Sequence, residues 1–103
     1  MYYQHGDVLI KKVEKIPSSA KRKRPTNRGN VLADGEATGH AHVMTPDKTE
    51  LYEDDGTLYL TVKESTPVTH EEHNPIEIEA GDYEIDIVQE YDHFAEEVRV
   101  VKD

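Results

Sequence analysis

Apolar and polar positions alternate through much of this chain with the period of two that a half-buried strand requires. The alternation is cleanest where Leu58, Leu60 and Val62 are interleaved with Thr57, Tyr59 and Thr61. Together with residues 49–53 and the intervening Asp54-Asp55-Gly56 this predicts a hairpin, because Asp-Gly readily supplies the left-handed residues of a tight turn. Ile76, Ile78 and Ala80 alternate with Glu77 and Glu79, and Tyr83, Ile85 and Ile87 with Glu84 and Asp86. They predict two further strands, one on each side of a turn at Gly81-Asp82, with their carboxylates facing water. Residues 7–16, β-branched and bounded by Gly6 and Pro17, predict a partly exposed strand. Shorter strands are expected around Val31 and Leu32, over 40–45 and over 66–70, while 93–101 fits either a short helix or a last edge strand. The pattern therefore defines one domain, 1–103, that is mainly β: a small barrel or sandwich of about six to eight short strands with little helix.

Charge adds an asymmetry to this picture. The formal net charge is -10, yet the first thirty residues carry eight Lys/Arg against Asp7 and Glu14, five of those cations lying in the segment 18–30. That segment also holds Pro25, Asn27 and Gly29 and reads as a mobile basic loop. An acidic surface elsewhere repels a long polyanion, so a small anion in a local basic pocket is the nucleic-acid-like partner that the composition permits. There are no cysteines, which removes disulfides, thiolate metal sites and thiol nucleophiles. No apolar run is long enough to cross a membrane as a helix, and the N-terminus lacks the pattern of a signal peptide, so a soluble, cytoplasmic protein is expected.

The candidate chemistry lies in the histidines. His40 and His42 stand on alternate residues of a predicted strand and so share one face, behind a glycine-rich approach that includes Gly35 and Gly39. His70 and His73 form a second pair around Glu71 and Glu72, whereas His5 and His93 read as surface residues. Neutral imidazoles from two β segments suit a zinc, iron or manganese ion, and the order of Gly35, His40, His42 and Glu50 echoes a cupin metal motif. The spacing from His42 to Glu50 is too long for that motif. The same imidazoles suit proton transfer near neutral pH, with lysine and arginine against a phosphate, and this reading alone uses the basic segment.

The series Gly6-Asp-Val-Leu-Ile, 28–42 with its Gly-His-Ala-His, Gly56-Thr-Leu-Tyr-Leu, Thr69-His-Glu-Glu-His73 and Gly81-Asp-Tyr spans nearly the whole chain. It resembles the small homodimeric CRISPR ring nucleases of phages, plasmids and type III CRISPR systems. That resemblance implies a compact β-rich fold, metal-independent hydrolysis of cyclic oligoadenylate to linear products, and an anti-CRISPR or signal-dampening role. The leading expectation is therefore a phosphodiesterase with His40, His42 and His73 in proton transfer, and Lys23, Arg24, Arg28, Thr38, Gly39, His70 and Tyr91 around the substrate. It needs no metal or other cofactor, acts as a homodimer, and predicts that His42→Ala loses turnover with its fold intact. A cupin-like metal-binding protein and a non-catalytic sponge for a cyclic nucleotide are the alternatives.

Overall fold

Eleven short strands and no helix occupy the described residues of the computed structural model, which are 1–34, 39–88 and, by their backbone alone, 99–101. The strands are β1 (Tyr2–His5), β2 (Val8–Val13), β3 (Lys21–Lys23), β4 (Asn30–Asp34), β5 (Ala41–Met44) and β6 (Thr49–Asp54). They continue with β7 (Thr57–Val62), β8 (Thr66–Val68), β9 (Ile76–Ile78), β10 (Gly81–Ile87) and β11 (Arg99–Val101). The fold is mainly β, as the alternation predicts. Its strand number exceeds the expected six to eight because β1 and β3 carry no apolar alternation to announce them. Both form by pairing with a neighbour.

Seven strands make one open sheet in the order β11-β1-β2-β10-β7-β6-β3, and two ribbons, β4-β5 and β8-β9, complete the molecule. The arrangement is sandwich-like, with β11 and β3 at the sheet's edges rather than a closed barrel. The predicted hairpin is β6-β7, in register from Thr49↔Val62 to Asp54↔Thr57. Asp55 and Gly56 between them both have positive φ, 49° and 82°, the pair that a type I′ turn needs. The strands on either side of Gly81 do not form a hairpin: β9 pairs with β8, and β10 lies between β2 and β7.

The basic segment, read as a loop, contains the edge strand β3, whose three residues are all exposed. Its partner β6 supplies the reason. Arg22 lies 3.2 Å from the Glu50 carboxylate and Lys23 4.0 Å from that of Glu53, so opposite charges face each other across the pair.

Tyr3, Val8, Ile10, Leu51, Leu60, Val62, Tyr83 and Ile85 of the sheet join Leu32, Met44, Val68, Ile76 and Ile78 of the ribbons in one core cluster. Burying side chains of this size contributes about 1.5–3 kcal/mol each before entropy is counted. Two polar ties register the ribbons on the sheet. Asn30 Nδ2 donates to the Thr49 carbonyl and hydroxyl at 3.1 and 2.8 Å, fixing β4 on β6. The Tyr83 hydroxyl donates to the Glu79 carbonyl at 2.6 Å, and the Glu79 amide donates to the Tyr3 hydroxyl at 3.2 Å. Finally, Val43 and Thr69 exchange backbone hydrogen bonds of 3.0 Å each way, joining β5 to the end of β8. That last contact carries one pair of histidines to the other.

Candidate metal centre

Because Val43 is bonded to Thr69, the residues flanking each are forced together: His42 comes against His70 with ring centres 4.4 Å apart. His73 follows within one turn of chain, its ring 4.5 Å from that of His70 and 5.5 Å from that of His42. His40 meets His70 at 5.6 Å. A fifth imidazole arrives from the sheet. His5, at the end of β1, lies 5.0 Å from His42 and 5.6 Å from His73, centre to centre. The β1-β2 turn delivers it through Gly6, whose φ of +61° suits the first central position of a type II′ turn. A Cβ at Gly6 would stand 2.7 Å from His73 Nε2 and 3.1 Å from His42 Cε1, so glycine is required there by both conformation and space.

His5 and His42 are fully buried, and His5 corrects its reading as a surface residue. Four residues of mixed polarity at the N-terminus give no sign of burial. The sign that existed was the Gly6-Asp7 turn, which folds His5 back on the core. His93, Thr38 and Tyr91, like Gly35, lie outside the described residues. Gly39 is an exposed turn residue with φ +85°.

Hydrogen bonds fix the proton positions on the buried pair. The Asn74 carbonyl can only accept, so His5 donates to it from Nε2 at 2.8 Å. Neutral His5 then accepts at Nδ1, which makes His42 the donor in the 2.9 Å contact between the two Nδ1 atoms. His42 is left with a bare lone pair on Nε2. Burial pushes the His5 imidazole down to about 4, partly opposed by its bond to Asn74 and reinforced by His73 and His70. Burial also pushes His42 down to about 3, followed by repulsion from His5, His70 and His73. His70 is lowered as well, by burial and then by His73. At neutral pH these rings are therefore neutral donors. A group titrating near 3 is a poor proton shuttle at pH 7.

One nitrogen from each of His42, His70 and His73 lies within 4.8 Å of the other two. Tetrahedral zinc with bonds of about 2.0–2.1 Å sets its donors about 3.3 Å apart, so the rings need a modest contraction around an ion. His70 must also give up a hydrogen bond. Its Nδ1 accepts the Glu72 amide at 3.0 Å, and ligation through either nitrogen deprives that amide of its acceptor. A second set, His40, His70 and Glu71, meets the same distance limit. There, however, Glu71 is engaged already, accepting the Ala41 amide at 3.0 Å and the Arg28 guanidinium at 2.6 Å. Among the described residues His40 Nδ1 is buried without a hydrogen-bond partner, the Glu72 carboxylate lying 3.6 Å away.

Of the residues singled out in the sequence, His40, His42, His70 and His73 thus stand together, with Arg28 at their rim through Glu71. Lys23 and Arg24 do not join them. β3 is the fourth strand along the sheet from β2, where Arg22 and Lys23 face Glu50 and Glu53, and Arg24 is exposed just beyond its end. The burial of His42 also changes the expectation for His42→Ala. Truncation leaves a cavity and strips His5 Nδ1 of its donor, so a loss on the order of 3 kcal/mol is expected in denaturant unfolding. A loss below about 1 kcal/mol would show that the His5-His42 bond carries little.

The fold and site define a small β protein that gathers five imidazoles between the end of strand β1 and the two ribbons. The profile of a domain of unknown function, DUF8820, matches residues 4–88, and the chain belongs to that family. All five clustered histidines fall inside the matched span. No curated protein and no solved structure matches the chain.

Proposed function

We propose that this chain is a metal-binding protein whose centre is held by His42, His70 and His73, and that its ion is a divalent first-row transition metal. The observation that carries the reading is the convergence of three imidazole nitrogens within 4.8 Å, one of them on a ring whose other nitrogen is already committed to His5. Imidazole suits zinc, iron, nickel and copper, and three histidines leave further positions on the ion for water or another ligand. The relay from the Asn74 carbonyl through His5 to His42 is the kind of outer contact that orients a ligating ring and raises its basicity. Tag-free protein analysed for metals, then stripped and titrated with zinc, cobalt, nickel and iron, tests the reading. One equivalent bound is expected. Absence of metal as purified, together with no binding at tens of micromolar of any of these ions, would dispose of it.

A second reading, the phosphodiesterase of cyclic oligoadenylate, is supported by the gathering of His40, His42, His70 and His73 with Arg28 2.6 Å from Glu71. It carries with it a cytoplasmic homodimer and metal-independent turnover. Incubation with cyclic tetra- and hexa-adenylate, with and without chelator, separates the two. Cleavage in chelator favours this second reading, binding without product favours a sponge, and intact, unbound nucleotide in both arms removes it.

A further inference from the structure

Asp7 occupies the second position of the β1-β2 turn, immediately after the glycine that packs on His73 and His42. Its Oδ1 lies 3.5 Å from Nε2 of His42, and its side chain is a quarter exposed. The hydrogen-bond chain from Asn74 through His5 leaves that Nε2 as a lone pair, so two acceptors face each other with no proton between them. Such a contact is repulsive unless a cation bridges it. Its length is also informative. Two donors on one tetrahedral ion with bonds of about 2.0–2.2 Å are separated by about 3.3–3.5 Å, so the Asp7-His42 pair already stands at a coordination edge.

We infer that Asp7 is the fourth protein ligand of the metal centre, through Oδ1, making the donor set three histidines and one carboxylate. The inference rests on the metal reading above and adds to it. A carboxylate contributes a negative charge that offsets half of a divalent ion's, favouring harder ions than three neutral imidazoles alone would select. It also bears on what the centre can do. Zinc with four protein donors is closed, as in structural sites, whereas a six-coordinate ion such as iron(II) or manganese(II) keeps two positions for water or a substrate. Gly6 has a matching role: it lets the turn pack directly on His73 and His42, and because Asp7 stands 3.5 Å from His42 but outside the 4.8 Å set, its carboxylate must move toward His70 and His73 to share their ion.

The test uses cobalt(II), whose visible spectrum reports donor type and number, on stripped full-length wild type and on Asp7→Asn. The substitution keeps the size of a partly exposed turn residue and removes its charge. Wild type is expected to bind one cobalt. Asp7→Asn is expected to bind at least 10–100-fold more weakly, the loss seen for outer contacts being the lower bound for a direct ligand. Its bound spectrum is expected to change, which a merely electrostatic role would not produce. A variant with wild-type affinity and an identical spectrum overturns the assignment of Asp7 while leaving the three-histidine centre in place. A weakened variant with an unchanged spectrum overturns it too, reducing Asp7 to a nearby charge. A wild type that binds no cobalt removes the centre itself and Asp7's role with it.

Discussion

Zinc added to the stripped protein is expected to raise its thermal midpoint by about 10–20 °C once free zinc reaches a hundred times its dissociation constant. An ion that binds only the folded state adds about 2.7 kcal/mol at that excess, and a domain of this size gains about 4–8 °C per kcal/mol. The unfolded chain scatters His42, His70 and His73, so it offers no comparable site. The control is His70→Ala. That ring is half-buried and its loss breaks one bond, from the Glu72 amide, so the metal-free midpoint should fall by only a few degrees. Most of the zinc-dependent rise should vanish. If His70→Ala responded to zinc as wild type does, the ion would be binding elsewhere. Differential scanning calorimetry of both proteins, with zinc and with chelator, makes the comparison directly.

Acid is expected to unfold the metal-free protein more readily than its many exposed carboxylates alone would require. In the unfolded chain His5 and His42 titrate near 6.5; in the fold burial holds them at about 4 and about 3. Above pH 6.5 both rings are neutral in both states, and the full stability is present. As the pH falls below 6.5 the unfolded chain takes up two protons that the folded chain refuses, so stability declines until the folded rings themselves titrate. Each histidine contributes a slope of up to about 1.4 kcal/mol per pH unit. Two units of acidification therefore remove several kcal/mol from a total that for such domains is about 5–15 kcal/mol. Urea unfolding between pH 7.5 and pH 4.5 measures this. A midpoint unchanged from pH 7.5 to pH 5 would mean that the two rings are not buried neutral.

Several features of the site were legible along the chain, others only in hindsight. The pair His40/His42 announced itself because a strand's period of two puts alternate side chains on one face, and the pair His70/His73 because polar turn residues rather than an apolar alternation surround it. His5 and Asp7 gave no such sign. Their importance depends on where the Gly6 turn comes to rest, a matter of packing between β1 and residues more than thirty positions away. The basic run misled for the complementary reason. Charge density says that a segment is polar, but the carboxylates it meets were fixed by the pairing of β3 with β6.

By itself, the sequence determined that this protein is built of short strands, that Asp55-Gly56 closes a hairpin, that the carboxylates of the later strands face water, and that two close histidine pairs stand out from the rest of the chain. These follow from local rules, since alternation and turn conformation are settled by neighbours a few residues apart. Only the tertiary structure decided that Val43 bonds to Thr69 and so merges the two pairs. It alone brought His5 and Asp7 to the same place and left Lys23 across the sheet. Pairing between distant strands is chosen by which faces can be buried together and which backbone groups can be satisfied together, quantities that belong to the whole chain and not to any segment of it.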